Sequence, residues 1–148
     1  PDNHKTDHME ADKLVQHCIH ICEEHQALDI LVVDISRTSP FADYCLFCSG
    51  NSQAHVRALA RNVEADLKAG PGVRTRSREG EPAAGWVLLD LNDVLVHIFK
   101  PETRAYYAIE QIYRDCPVYF PDDYEMPAAD TAEPSADGAD AERPAFLR

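Results

Sequence analysis

Basic residues are scarce in this chain: 14 lysines and arginines stand against 26 acids, a net charge of -12 over 148 residues. The repulsion between such a surface and phosphates disfavours direct, sequence-specific or general binding to nucleic acid. Long apolar runs are missing too. No uninterrupted apolar stretch approaches the roughly 18 residues that a membrane span requires, and no basic segment followed by an apolar run opens the chain. The expectation is a cytoplasmic protein with no membrane partner. Glycine is thin at six residues, and neither a phosphate loop nor a dinucleotide fingerprint occurs. No Ser-His-Asp or Cys-His arrangement suggests nucleophilic catalysis. The five cysteines are an odd number. Four of them lie inside apolar periodic segments, as free buried thiols do in a reducing compartment, so a disulfide framework is not expected.

What is present is enough apolar material for one domain with one core. The hydrophobic fraction of 45% is ordinary for a globular chain of this length. The charge is unevenly spread: residues 121–148 hold eight acids and two arginines, half of the net charge, with almost no large apolar residue. Such a segment cannot bury enough surface to offset its ordering entropy, and it reads as a disordered acidic tail. Residues 1–8, PDNHKTDH, are polar and without period, a flexible N-terminus. A folded domain over 9–120 remains.

The centre of that domain is the stretch 86–99, WVLLDLNDVLVHIF. Two apolar runs flank Asp90, Leu91, Asn92 and Asp93, a turn-forming break, and together they predict an antiparallel hairpin. Alternation sends Val94, Val96 and Ile98 to one face and Asp93, Leu95, His97 and Phe99 to the other. Both faces are apolar, so this strand belongs inside a sheet that helices cover on one side at least. Trp86, Asp90, Asp93 and His97 are left where a rigid support could display them.

Helical spacing appears three times. Over 9–25, Val15, Cys18, Ile19 and Cys22 form a stripe that Thr6 or Asp7 could cap. After Ser49-Gly50-Asn51-Ser52, with Asn51 or Ser52 as cap, Val56, Leu59, Ala60, Val63 and Leu67 form a second stripe that Gly70 ends. Arg57 and Arg61 lie off it, as a solvated face or as a place for a partner's acids. Pro101 and Glu102 open a third helix whose apolar side is Tyr106, Ile109, Ile112 and Tyr113, stopped by Cys116-Pro117. Strands are predicted at 28–35, LDILVVDI, at 41–49, FADYCLFCS, and at 73–81, where Arg74, Arg76 and Arg78 would blunt an edge. The fold class is α/β: a mixed sheet of four or five strands with about three helices packed against it.

Metal and catalytic chemistry find little support in spacing. His17, His20 and His25 accompany Cys18 and Cys22, but the cysteines lie in the apolar stripe and the first two histidines mostly outside it, so no four ligands converge. Cys45 and Cys48 are three apart on a strand and face opposite ways. Asp90 and Asp93 would have to serve a nucleotidyl-transfer metal across a turn rather than from one strand face. His97 and Asp93 are about 13 Å apart along the backbone, too far to act as a pair. No catalytic residue, cofactor or metal is assigned, and a binding module is preferred to a small nucleotidyltransferase-like or nucleotide-binding enzyme.

The residues then carry a resemblance. Asp43-Tyr44, Ser49-Gly50-Asn51-Ser52, Glu79-Gly80, Trp86 with Leu88 to Asp90, Asp93 with His97, and the 104–107 stretch occur in an order that resembles the ribosomal silencing factor, or Iojap-like, family. The likeness covers about 9–119; Cys45 and Cys48 replace more usual apolar residues, and the acidic tail lies outside it. It implies a nucleotidyltransferase-like fold without catalytic carboxylates, and a homodimer when free. It also implies a protein that docks on the large ribosomal subunit through its protein fourteen, blocks joining of the small subunit and lowers translation when nutrients are scarce. Carried over by position, Trp86, Leu88, Asp90, Asp93 and His97 would form or border the ribosomal contact, with Asp43 and Tyr44 supporting it. Trp86 is equally suited to cap the core at a strand start.

Overall fold

The computed structural model describes residues 9–122. The expected N-terminal segment and all but two residues of the expected acidic tail lie outside them. Helix α1 spans Ala11–Glu24 and buries Leu14, Val15, Cys18, Ile19, Ile21 and Cys22. Its N-cap is Glu10, which makes no side-chain capping bond; Thr6 and Asp7, the expected caps, lie outside the described residues.

Strand β1, Leu28–Asp34, runs antiparallel to β2, Tyr44–Ser49. β2 starts later than expected because the loop continues through Phe41, whose amide bonds the Ser39 hydroxyl and whose side chain is 84% exposed. Pairing begins where the amides of Asp43 and Tyr44 both donate to the Asp93 carbonyl. Cys45 and Cys48 point to opposite faces, into separate halves of the core, and all five cysteines are free.

The second helix, α2, spans Gln53–Ala69, and the choice of cap falls to Ser52, whose hydroxyl accepts from His55 N at 3.1 Å. The strand expected over 73–81 contracts to β3, Ser77–Glu81, because the Val73 amide is drawn back to the Leu67 carbonyl at the end of α2. A 3₁₀ turn at Pro82–Ala84 leads into β4, Trp86–Asp90, and then β5, Val94–Phe99. These two form the expected antiparallel hairpin. Its turn uses Asn92 at φ 81°, a left-handed conformation that asparagine tolerates, and the Asp90 carboxylate accepts from the Asn92 amide at 2.8 Å.

Beyond the hairpin, helix α3 covers only Pro101–Tyr107. The chain turns left-handed at Ala108 and continues as a 3₁₀ segment, Ile109–Tyr113. The continuous apolar side expected for this helix is therefore broken: Ile109 and Tyr113 pack inward, while Tyr106 and Ile112 stand 79% and 69% exposed. What fixes the break is a buried ion pair. Arg104 Nε donates to Glu110, and Arg104 Nη1 reaches the Asp29 carbonyl at 2.9 Å and the Ser49 hydroxyl at 3.0 Å. A short strand, β6 at Val118–Tyr119, then adds to the free edge of β1.

The six strands lie in the order β3-β4-β5-β2-β1-β6, with β2 and β5 parallel and every other pair antiparallel. The sheet is mixed as expected and one strand larger. Helices α1 and α2 cover one face, where Val87, Leu89, Val94, Val96 and Ile98 join Leu46 and Val32 in the larger core cluster. A smaller cluster fills the other face around Leu31, Val33, Cys45, Phe47 and Phe99, closed by Ile109, Tyr113 and Phe120. Cover on that second face stops short of β4 and β3.

Candidate functional site: the open face of the hairpin

On the face turned away from α1 and α2, the pairing of β4 with β5 sets Trp86 opposite Phe99, Leu88 opposite His97 and Asp90 opposite Leu95. The β5 members are supported by the core behind them: Phe99 is fully buried and His97 only 7% exposed. Trp86 and Leu88, on the next strand outward, are half-buried. The Trp86 ring packs on Phe99 at 5.0 Å, Tyr107 at 5.4 Å and His97 at 6.0 Å, while His97 stacks on Phe47 at 4.7 Å and 20°. Trp86 Nε1 donates to His97 Nδ1 at 3.2 Å. An indole can only donate, so Nδ1 must accept and the ring proton of the neutral imidazole sits on Nε2. Burial pushes the His97 pKa down to about 4, which keeps that arrangement intact at neutral pH.

Beside these rings lies a recess of about 250 Å³ lined by Glu79, Gly80, Ala84, Trp86, Leu88 and Tyr107. Gly80 lines it at φ +83°, where a Cβ would meet the Trp86 carbonyl oxygen at 2.2 Å; Gly85, just before Trp86 and also at φ +83°, leaves no room for a Cβ, which would meet Thr103 Oγ1 at 2.3 Å. The floor is rigid and apolar, the rim carries one acid, and the result is a shape for docking a side chain of another macromolecule.

The residues proposed from sequence divide accordingly. Trp86, Leu88, Asp90 and His97 share this face. The Asp90 carboxylate is engaged in the hairpin turn. Asp93 sits in that turn and, with Leu91 and Asn92, lines a different recess bounded by Met9, Leu14 and residues 72–74. Asp43 lies at the same end of the sheet, exposed, its carboxyl pushed above the usual range by desolvation and then by Asp93, Asp34 and Asp12. Tyr44 does not join the open face: it packs against the α1 and α2 side, where its hydroxyl donates to Asp12. Tyr107, 52% exposed, and Ala84 also belong to the recess; Tyr107 lies in the 104–107 stretch of the resemblance but off the periodic stripe, which runs through Tyr106, and Ala84 carried no signal in the sequence.

Among the described residues, Asp90 and Asp93 do not gather with a third donor. Among the described residues, the group of three His, Cys, Asp or Glu side chains close enough to share an ion is Glu24, His25 and Asp66, contributed by the end of α1 and by α2. His25 there is already bonded to Asp66 at 3.0 Å and to Asn62 at 3.2 Å. No described helix is long and apolar enough to cross a membrane.

Comparison with known proteins places this geometry. The family model described as ribosomal silencing factor during starvation matches residues 8–145, further than the 9–119 resemblance and into the segment read as an acidic tail. A ribosomal silencing factor of Bacillus subtilis is 41% identical over 97 residues, covering 66% of this chain and 81% of the relative. The corresponding protein of Zymomonas mobilis is 38% identical over 91 residues, covering 62% and 68%. Among solved structures, a protein of Chromobacterium violaceum superposes with a TM-score of 0.68 at 33% identity, covering 71% of this chain and 87% of that one. One from Bacillus halodurans gives 0.63 at 30% identity, covering 73% and 97%. With a family model spanning nearly the whole chain, and relatives alike in sequence and in fold, the chain belongs to the ribosomal silencing factor family.

Proposed function

We propose that this protein represses translation by binding the large ribosomal subunit, through its protein fourteen, and keeping the small subunit from joining when nutrients are scarce. The observation that carries the proposal is the half-buried aromatic and aliphatic face of the hairpin, Trp86 and Leu88 with the more exposed Tyr107 around one recess, which no helix covers. An aromatic anchor beside a desolvated pocket is the make-up of an interface hot spot, where one truncation costs about 2 kcal/mol or more of binding. In this reading Trp86 and Leu88 touch the partner and His97 fixes the tilt of the Trp86 ring. Asp90 and Asp93 shape the turn that borders the contact, while Asp43 and Tyr44 tie that turn to β2 and α1.

The mechanism is steric and breaks no bond. A folded unit over 9–120 standing on the surface where the two subunits meet excludes the smaller one. Its effect then depends on affinity and placement alone. The protein is homodimeric when free and acts in the cytoplasm, where ribosomes assemble.

The test is sedimentation through a sucrose gradient with purified subunits. The wild-type protein is expected to travel with the large subunit. Trp86→Ala combined with Leu88→Asp should stay at the top of the gradient while keeping its circular dichroism spectrum. Undiminished co-sedimentation of a folded double variant would overturn the site.

A further inference from the structure

Helix α2 and the chain running into β3 hold six of the cations of residues 9–122: Arg57, Arg61, Lys68, Arg74, Arg76 and Arg78. Arg57, Arg61, Glu64 and Lys68 follow one another at i, i+4, i+7 and i+11, a single stripe along one flank of α2 beside its buried residues Val56, Leu59, Ala60, Val63 and Leu67. Arg78 joins that stripe from the edge strand, its Nη1 lying 3.3 Å from Glu64 Oε1. The local acids are engaged: Glu64 by Arg78, and Asp66, the other acid of α2, by His25 at 3.0 Å. Residues 44–63 contain no acid, and among the described residues neither Arg57 nor Arg61 forms an ion pair. In a chain of net charge -12, this is a local inversion of sign held on a rigid helix.

We propose that the Arg57, Arg61 and Arg78 face of α2 and β3 grips the phosphate backbone of an RNA strand while the opposite face of the sheet holds the protein contact. One turn of helix separates Arg57 from Arg61 by about 6 Å along the axis, comparable with the spacing of consecutive phosphates along a nucleic-acid strand. Arginine suits bidentate contact with each of them. An acidic protein segment is the competing occupant. RNA is favoured because the stripe offers guanidinium groups in a row and α2 exposes no large apolar or aromatic side chain, a surface that reads charge and spacing. The topology makes the two contacts compatible. In β3, Arg78 and Gly80 lie toward α2, while Ser77, Glu79 and Glu81 lie opposite Asp90, Leu88 and Trp86 on the open face. An edge strand with both surfaces occupied could be clamped between a ribosomal protein and ribosomal RNA. The proposal rests on the large-subunit reading above and extends it.

The experiment measures binding to purified large subunits over a potassium chloride series for the wild type, Arg57→Ala with Arg61→Ala, and Leu88→Asp. Loss of two phosphate contacts should flatten the slope of log affinity against log salt by roughly 1.5 and weaken binding several-fold at low salt. Leu88→Asp should weaken binding without changing the slope. A photoreactive benzoylphenylalanine at position 61 should give a cross-link that ribonuclease removes. An unchanged slope in the arginine variant, or a cross-link to protein that resists ribonuclease, would overturn the proposal while leaving the hairpin contact standing. Failure of the wild type to bind at any salt would remove both.

Discussion

Titrating one buried histidine should loosen the whole domain. His97 is neutral in the fold, with its pKa pushed down to about 4 by burial, while in the unfolded chain it returns to 6.5. As pH falls, the unfolded state takes up the proton first, so stability is complete above pH 6.5 and declines toward pH 4. Between those limits the shift of about 2.5 pH units is worth about 3 kcal/mol at pH 4. That is a large share of the roughly 5–15 kcal/mol that holds a small domain together. The comparison protein is His97→Phe, which keeps an aromatic ring against Phe47 and cannot titrate. It should lose about 1 kcal/mol at every pH for the missing acceptor of the Trp86 indole, yet show a flatter decline between pH 6.5 and 4. Subtracting urea denaturation free energies of the two proteins at each pH isolates this group; the raised carboxyl of Asp43 is common to both and cancels. Because Trp86 is the sole tryptophan, its fluorescence reports the same event with a midpoint near 4. Parallel pH profiles for the two proteins, or a fluorescence midpoint near 6.5, would refute the reasoning.

Two further outcomes follow from the same contacts. Arg104→Ala leaves the fully buried Glu110 carboxylate without its ion partner and should cost about 3–5 kcal/mol by thermal or urea denaturation; replacing both, Arg104→Met with Glu110→Leu, should recover most of that loss. Gly80→Ala puts a Cβ against the Trp86 carbonyl at a φ of +83° and should destabilise the domain by about 1–3 kcal/mol, with faster hydrogen exchange at the amides of β3.

The parts of the fold legible in the sequence are those governed by local chemistry. The hairpin shows itself because both alternating faces of 94–99 are apolar and because Asp90 and Asn92 are turn formers, and α2 is announced by Ser52 before a clean stripe and Gly70 after it. Where long-range contacts decide, the sequence is silent. Nothing about Ala108 signals a left-handed residue; the break there follows from Arg104 reaching across to Glu110, Asp29 and Ser49. Two residues are too few to show a period, which hides β6. Of the proposed site, the resemblance named Trp86, Leu88, Asp90 and His97, and the pairing of β4 with β5 sets these four on one face; the surface was incomplete, since Tyr107 reaches it only through the shortened α3. Asp43 and Tyr44 illustrate a subtler limit. Adjacent residues entering a strand must face opposite ways, so a motif that names them together cannot place both on one surface.

If a ribosomal partner on the hairpin face keeps the subunits apart, as proposed, subunit joining itself must respond to the protein. Purified large and small subunits are mixed at constant magnesium with increasing amounts of protein, and the joined fraction is followed by light scattering. The wild type should lower the joined fraction until one protein is bound per large subunit, and folded Leu88→Asp should leave joining unchanged at the same concentration. Full joining in the presence of wild-type protein demonstrably bound to the large subunit would contradict the proposal.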